Sequence, residues 1–512
     1  MSIQLVCGPT LRIRHSLDCR ATQTEYPFYT ASVNLQVADP PIADAAVSQS
    51  RGMATRVGVA LAVLVAVITV LLPAPEGLTP GGKNLIGVFA VALILWVTEG
   101  IPIAVTSLLV IELQWLLQIA APPAAIAGFM TPVFFFVLTM FCIAEVVVGS
   151  GLARRFAVAL LIRSGQDSRR VVLAFMVGTA TVSTIMSDVP AAAIWMSMAL
   201  PLLVRIKAVP GQSAFGRALM IGIPFASFIG GVATPAGSSI NILAIFQIEQ
   251  FGQVRVSFLQ WMGLGVPMTI ILTPIAWWVL MRCYPPELPT IGDPEELRQE
   301  RQALGRLTTS EKKVIGLLSL MLVLWIASTW VRTIDTTMVA MAGAVAMFLP
   351  GVNLLTWPRA QKTIGWDALM LIGGVTSLGA AASSTGLAKY LVATLPDMQL
   401  WPVAAVIALV STVAVLIHLP VPINPAIVGV LIPPLCLLAL GTGQNPALYA
   451  LPVAFTASCA MLLPLDAVAV ITYAKGYYRM TDMLLPGAII SVVWVIVMTA
   501  LMVWVAPMLG LL

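Results

Sequence analysis

Two aspartates stand inside long apolar stretches, where a carboxylate is least at home. Asp188 lies in Ser187-Asp188-Val189-Pro190, and Asp466 lies in Leu463-Pro464-Leu465-Asp466-Ala467. If those stretches cross lipid, an ionised Asp there costs about 2.5–3.5 kcal/mol, so it must face water or protein and hold a cation or a proton. Each aspartate therefore reads as a cation ligand or proton carrier. The structural alternative is that each caps the exposed amides at a helix start, where negative charge is favoured. Asn424, in Ile423-Asn424-Pro425, stands in a matching place in the second half of the chain.

What surrounds these residues is a membrane protein. Of 512 residues, 59% are hydrophobic and 10% charged, where soluble domains carry roughly 25% charge. No soluble fold has interior enough for that much apolar surface. Disordered, fibrous and nucleic-acid-binding classes are excluded by the same numbers. The six cysteines show no CxxC or Cys/His spacing, and the 2 histidines, His15 and His418, make no cluster. Neither a disulfide framework nor a metal centre is expected, nor any cofactor beyond a coupling ion.

Helices crossing a bilayer need about 20 apolar residues. Candidate spans are 57–73, 85–97, 103–120, 133–149, 218–246, 258–281, 314–330, 338–349, 368–384, 448–474 and 483–511. Two further stretches, 171–204 and 401–440, are too long for one crossing and are interrupted midway by polar residues and proline. Each reads as a re-entrant hairpin. The expected fold is an all-α polytopic protein with about eleven transmembrane helices and two hairpins. Arg154, Arg155, Arg163, Arg169, Arg170, Arg205, Lys207, Arg217, Arg359, Lys362, Lys475 and Arg479 fall in one set of loops, with the basic residues of 298–313. The opposite loops offer little beyond Lys83, Arg255, Arg332 and Lys389. The positive-inside rule puts the first set and the N-terminus in the cytoplasm. Residues 1–56 read as a disordered tail or an over-extended start, with Met53 a natural beginning before the first span. The linker 285–313 reads as a short solvated cytoplasmic helix.

The halves echo each other. Gly149-Ser150-Gly151-Leu152-Ala153-Arg154 resembles Ser384-Thr385-Gly386-Leu387-Ala388-Lys389, and each copy leads to a hairpin and then a broken apolar segment. The first break is Gly230-Gly231-Val232-Ala233-Thr234-Pro235-Ala236-Gly237-Ser238-Ser239, and the second surrounds Asp466. An odd number of crossings between the copies makes them inverted. The first repeat takes 123–284 and the second 361–512, with 57–122 and 314–360 as scaffold. Unwound turns in lipid survive only when buried in protein or lining a cavity, and paired broken helices mark the solute sites of secondary transporters. A membrane-embedded enzyme lacks a nucleophile or metal constellation here, and hairpin tips near the midplane suit an occluding carrier better than an open pore. A proton- or sodium-linked ion exchanger is the nearest rival.

These residues also resemble a known family. Trp96-Val97-Thr98-Glu99-Gly100-Ile101-Pro102 with Val105-Thr106-Ser107-Leu108-Leu109 resembles the early signature of the divalent anion:sodium symporter family. Residues 229–241, Leu369-Met370-Leu371-Ile372-Gly373-Gly374 with Ser377-Leu378-Gly379, and 451–482 are similar to its later segments. The resemblance covers roughly 57–511. It implies a homodimeric elevator-type carrier of the inner (plasma) membrane that moves a small carboxylate or sulfate anion across the lipid bilayer, usually with sodium. It further implies a first cation site from Ser183, Ser187, Asp188 and the backbone of Gly237, and a second from Asn424 and the chain near Asp466. Substrate would meet Ser187, Asp188, Val189, Ile423, Asn424, Pro425, Thr234 and Ser238.

The hairpin tips depart from the family's Ser-Asn-Thr. Both threonines and one serine are gone, and one asparagine is Asp188. Val189 and Pro425 donate nothing by side chain, and Pro425 also lacks an N–H. The expectation is coupling to protons or a tightly held sodium, and a substrate with fewer negative charges or a larger apolar part than a dicarboxylate. His418, six residues before Asn424, reads either as a pH sensor or as a histidine hydrogen-bonded between packed helices. Glu99 is expected to fix scaffold helices. Glu145 faces either the bundle or an arginine of the following loop.

Overall fold

The computed structural model describes residues 41–291, 294–331, 333–394, 401–421 and 423–511. The reading of an N-terminal extension lies, for residues 1–40, outside the described residues, while 41–56 belong to the first helix. Contacts divide the chain into Met1–Gly52 and Met53–Leu512, and the site lies wholly in the second.

Among the described residues the regular elements are helices, with one isolated antiparallel bridge between Asp167 and Thr290. The first half runs α1 Pro41–Leu71, α2 Pro80–Thr98, α3 Ile103–Leu116, α4 Pro122–Ala127, α5 Pro132–Ser150 and α6 Leu152–Ser164. It continues with α7 Ser168–Ser183, α8 Asp188–Arg205, α9 Ala214–Gly231, α10 Ser239–Gly252 and α11 Phe258–Cys283. After α12 Pro294–Leu304 come α13 Thr309–Ala327, α14 Thr336–Phe348, α15 Trp357–Thr363, α16 Trp366–Ser384 and α17 Leu387–Thr394. The chain closes with α18 Val403–Ile417, α19 Asn424–Gly441, α20 Pro446–Thr456, α21 Ala467–Tyr473 and α22 Leu484–Trp504.

Local chemistry sets these boundaries. Thr79, Asp167, Ser213 and Asn445 accept amide hydrogens of the first turns of α2, α7, α9 and α20, satisfying donors with no partner inside the helix. Ser257 with Gln260, and Thr308 with Glu311, form reciprocal capping boxes at α11 and α13. Prolines open α2, α4, α5 and α19 where their missing N–H costs nothing.

Among the described residues seven helical segments are long and apolar enough to cross a membrane, and eight if α15 and α16, bent by 62°, count as one broken span. Five shorter apolar helices, Thr55–Leu71, Ile103–Leu116, Thr336–Phe348, Val403–Ile417 and Pro446–Thr456, fall short of the usual length. Both second limbs of the expected hairpins, α8 and α19, are among the seven. The breaks fall at residues 232–238, between α9 and α10, and 457–466, between α20 and α21.

The loop reading of the basic residues is corrected. Arg154, Arg155 and Arg163 lie on the helix α6, Arg169 and Arg170 on α7, Arg205 on α8, Arg217 on α9, and Arg359 and Lys362 on α15, and the stretch of the second half that matches α6 forms α17. Helices α6 and α17 each begin after a glycine of positive φ, Gly151 at 80° and Gly386 at 73°, a conformation that side chains resist. Arg155 lays its guanidinium on Glu311 at 2.9 and 3.1 Å and on the carbonyls of Leu304 and Gly305, tying α6 to the end of α12.

Candidate functional site

The first cluster gathers where α7 stops and α8 starts. The Ser183 hydroxyl stands 2.7 Å from Oδ1 of Asp188 and 2.9 Å from the carbonyl of Ser227 on α9. One hydrogen thus has two acceptors. The Ser227 hydroxyl donates in turn to the Asp188 carbonyl at 2.8 Å. Glycine is required beside them: a Cβ at Gly231 would lie 2.0 Å from Oδ1 of Asp188. At Gly237 it would lie 2.5 Å from the Gly231 carbonyl and 2.9 Å from that of Ser183.

The unwound stretch after α9 is held by side chains in place of helical bonds. Asn241 Nδ2 donates to the carbonyls of Gly231 at 2.7 Å and Thr234 at 2.8 Å. Trp261 Nε1 donates to Val232, and the Thr234 hydroxyl donates to Thr184 at the end of α7 at 2.6 Å. Thr234 and Ser238 are buried. This is how irregular backbone survives inside a membrane protein. Asn241 Oδ1, fully buried, has no partner among the described residues.

The second cluster repeats the plan. Asn424, first residue of α19, donates through Nδ2 to Oδ2 of Asp466 at 3.0 Å. Asp466 is the N-cap of α21, its Oδ1 accepting from the Val468 amide at 2.8 Å. The capping reading therefore accounts for one oxygen of Asp466 and leaves the other to Asn424. Buried and without partners among the described residues are Oδ1 of Asn424 and the hydroxyls of Thr456 and Ser458 at the break. His418 sets Nδ1 2.7 Å from the Ala414 carbonyl and Nε2 3.0 Å from that of Ala457, so it joins the end of α18 to the unwound chain. A neutral ring offers one N–H for these two carbonyls.

The clusters interlock. Helix α21, begun by Asp466, packs on α8, begun by Asp188, and on α9, while α10 packs on α19 and α20. Both aspartates are buried, at 6% and 8% exposure. Ser183, Asp188, Thr234, Gly237 and Ser238 come together around the first break, and Asn424 and Asp466 around the second. Ser187 precedes α8 without a capping bond and is half-buried, as are Ile423 and Pro425, and Val189 is exposed. Four residues beyond the sequence reading belong to these clusters: Ser227, Asn241, Thr456 and Ser458. Their only signal is a small polar side chain in an apolar run. Glu145 pairs with Arg359 of α15, an arginine distant in sequence and not one of the following loop. The Glu99 amide closes the end of α2 on Leu95, with Glu99 at φ 46°.

Carboxylates, carbonyls, amide oxygens and hydroxyls in a buried break are hard oxygen donors suited to sodium or a proton. The family profile described as sodium:sulfate symporter transmembrane region matches residues 54–512. The chain belongs to the sodium:sulfate symporter family. The resemblance to divalent anion:sodium symporters is borne out by this match. The chain is similar to the sodium-dependent dicarboxylate transporter SdcS of Staphylococcus saprophyticus, 27% identical over 485 residues, covering 90% of this chain and 93% of that one. SdcS of Staphylococcus aureus is 28% identical over 478 residues, covering 88% and 91%. A membrane protein of Cupriavidus necator is 25% identical over 434 residues, covering 80% and 84%. In fold the chain is similar to MtrF of Neisseria gonorrhoeae, at a TM-score of 0.53 and 13% identity, covering 88% of this chain and 94% of that one. As a member of the sodium:sulfate symporter family, the protein is a secondary active transporter of a small anion across the bilayer, and not an enzyme.

Proposed function

We propose that Asp188 and Asp466 are the coupling centres of a symporter that carries a small organic or inorganic anion with sodium or protons. What carries the reading is that both carboxylates are buried, each at the start of a helix beside a break, in elements packed on each other. Ser183, Ser187, Asp188 and Gly237 would hold one cation, and Asn424 and Asp466 a second. Unpartnered oxygens on Asn241 and Asn424 support an electropositive guest. Substrate would lie against Ser187, Asp188, Val189, Ile423, Asn424, Pro425, Thr234 and Ser238. SdcS relatives are named for sodium-dependent dicarboxylate transport, so carboxylates are the class to test first.

In this reading α7 with α8, and α18 with α19, are re-entrant hairpins in two inverted repeats, and the other four shorter apolar helices, with α13, complete about eleven crossings. The basic end is cytoplasmic by the positive-inside rule, the membrane is the plasma membrane, and two copies form a dimer in which the hairpin-bearing units move as elevators. Uptake of labelled acids by proteoliposomes, under imposed sodium or pH gradients, tests it. Stimulation by one gradient is expected. Equal uptake with neither gradient overturns it.

A further inference from the structure

A cavity of about 510 Å³ opens between α6, the first turns of α7, the last turns of α8 and α12, away from both aspartate clusters. Its walls include Phe175, Ile194, Met198 and Leu202, and charged Arg154, Arg205 and Glu300 also line it. The surrounding frame is built. The Ser168 amide donates to Pro289, its hydroxyl donates to Leu288, and the Ile291 amide donates to Gln166 at 2.7 Å. These bonds fix the segment that brings Ile291 to the cavity, while Arg155 fixes α6 to α12.

Protein interiors close such spaces by packing, and 510 Å³ falls in the range of ligand sites, roughly 300–1,000 Å³. Apolar walls with cations beside them suit a molecule with a hydrocarbon chain and an anionic head. Among the described residues the lining holds two arginines and one glutamate, and Arg163, Arg169 and Arg170 are exposed on neighbouring turns. Arg154 meets Glu300 at 2.8 Å as an exposed pair, of the kind that contributes little and exchanges readily. At the same end Trp277 bonds the Arg169 carbonyl, and Arg282 sits 5.0 Å over the exposed Trp278 ring, the residue types that mark headgroup depth.

We infer that this cavity is a binding site for an anionic phospholipid, one acyl chain along Phe175, Ile194, Met198 and Leu202 and its phosphate at Arg154 and Arg205. Basic residues at a membrane surface attract anionic lipid by about a factor of five each. The test is native mass spectrometry of the full chain in neutral detergent, incubated with equal phosphatidylglycerol and phosphatidylcholine. Retention of phosphatidylglycerol about tenfold over phosphatidylcholine is expected. Arg154→Gln should lower that preference about fivefold, and Ser197→Trp, which fills the cavity, should abolish retention. Arg154 is exposed, so its variant keeps the fold and carries the test where Ser197→Trp does not. Equal retention of both lipids, or a preference unchanged in Arg154→Gln, overturns the site.

Discussion

Gly231 has no side chain where Asp188 turns its carboxylate: a Cβ there would stand 2.0 Å from Oδ1. The buried acid therefore lies directly against the backbone of the first break, beside the carbonyl that Asn241 holds. Gly231→Ala must move the carboxylate or the hairpin turn. Overpacking of this kind costs about 1–3 kcal/mol. A lower melting temperature together with loss of cation-dependent uptake is the expected result, and an unchanged ion response would separate Asp188 from coupling.

Charge at the two aspartates is tested by removing it while keeping one acceptor oxygen at each, the bond from Asn424 to residue 466 then requiring the Asn424 amide to turn over. Asparagine keeps an oxygen to accept from Ser183 at 188 and from the Val468 amide at 466. Asp188→Asn and Asp466→Asn should therefore fold, yet each should change how uptake depends on sodium and pH, with transport reduced at least about tenfold. Each such decade corresponds to about 1.4 kcal/mol. Unchanged transport and ion dependence in both variants would end the coupling proposal.

Substrate choice follows from what the tips lack. Val189, Ile423 and Pro425 bring no side-chain donor, and two carboxylates repel a doubly charged anion unless neutralised. Monocarboxylates, or anions with a larger apolar part, should raise the melting temperature of purified protein more than succinate or sulfate. Ligand at 100 times its Kd stabilises by about 2.7 kcal/mol. Tight binding of succinate or sulfate would refute this.

The pH dependence of folding has a contributor outside the membrane. Burial works against charge on Glu287, but the Ser213 hydroxyl and the Phe215 and Ala214 amides outweigh it and hold the carboxyl below the ordinary glutamate value. Between the folded and unfolded values the unfolded chain binds more protons, so stability is complete above the unfolded value and falls as pH drops through the folded one. Thermal melts from pH 6 down to about 3 should show this loss, and Glu287→Gln should flatten it.

Much of the site was legible because a charge in an apolar run is an outlier. Asp188 and Asp466 announce themselves, and proline and glycine mark the breaks. Ser227, Asn241, Thr456 and Ser458 did not, because small polar residues are tolerated at many helix positions and only packing shows which ones meet unwound chain. Local reading failed in two further ways. Arginines clustered on α6 look like a loop when counted by charge, although their helix presents Ala153, Ala157, Val158 and Leu161 inward. For Glu145 the chain offers only the bundle or a nearby arginine, whereas its partner lies 214 residues away. The membrane crossings themselves follow from composition, since hydrocarbon thickness sets their length.

The lone hydrogen of Ser183 makes the first cluster a joint with two closed positions. Turned one way it steadies the Asp188 carboxylate; turned the other way it engages Ser227 on the neighbouring helix. If a guest ion takes over the acid, as proposed, the hydroxyl need only rotate toward the Ser227 carbonyl to keep the turn fastened. On that proposal, loading and emptying would leave the turn between α7 and α8 intact.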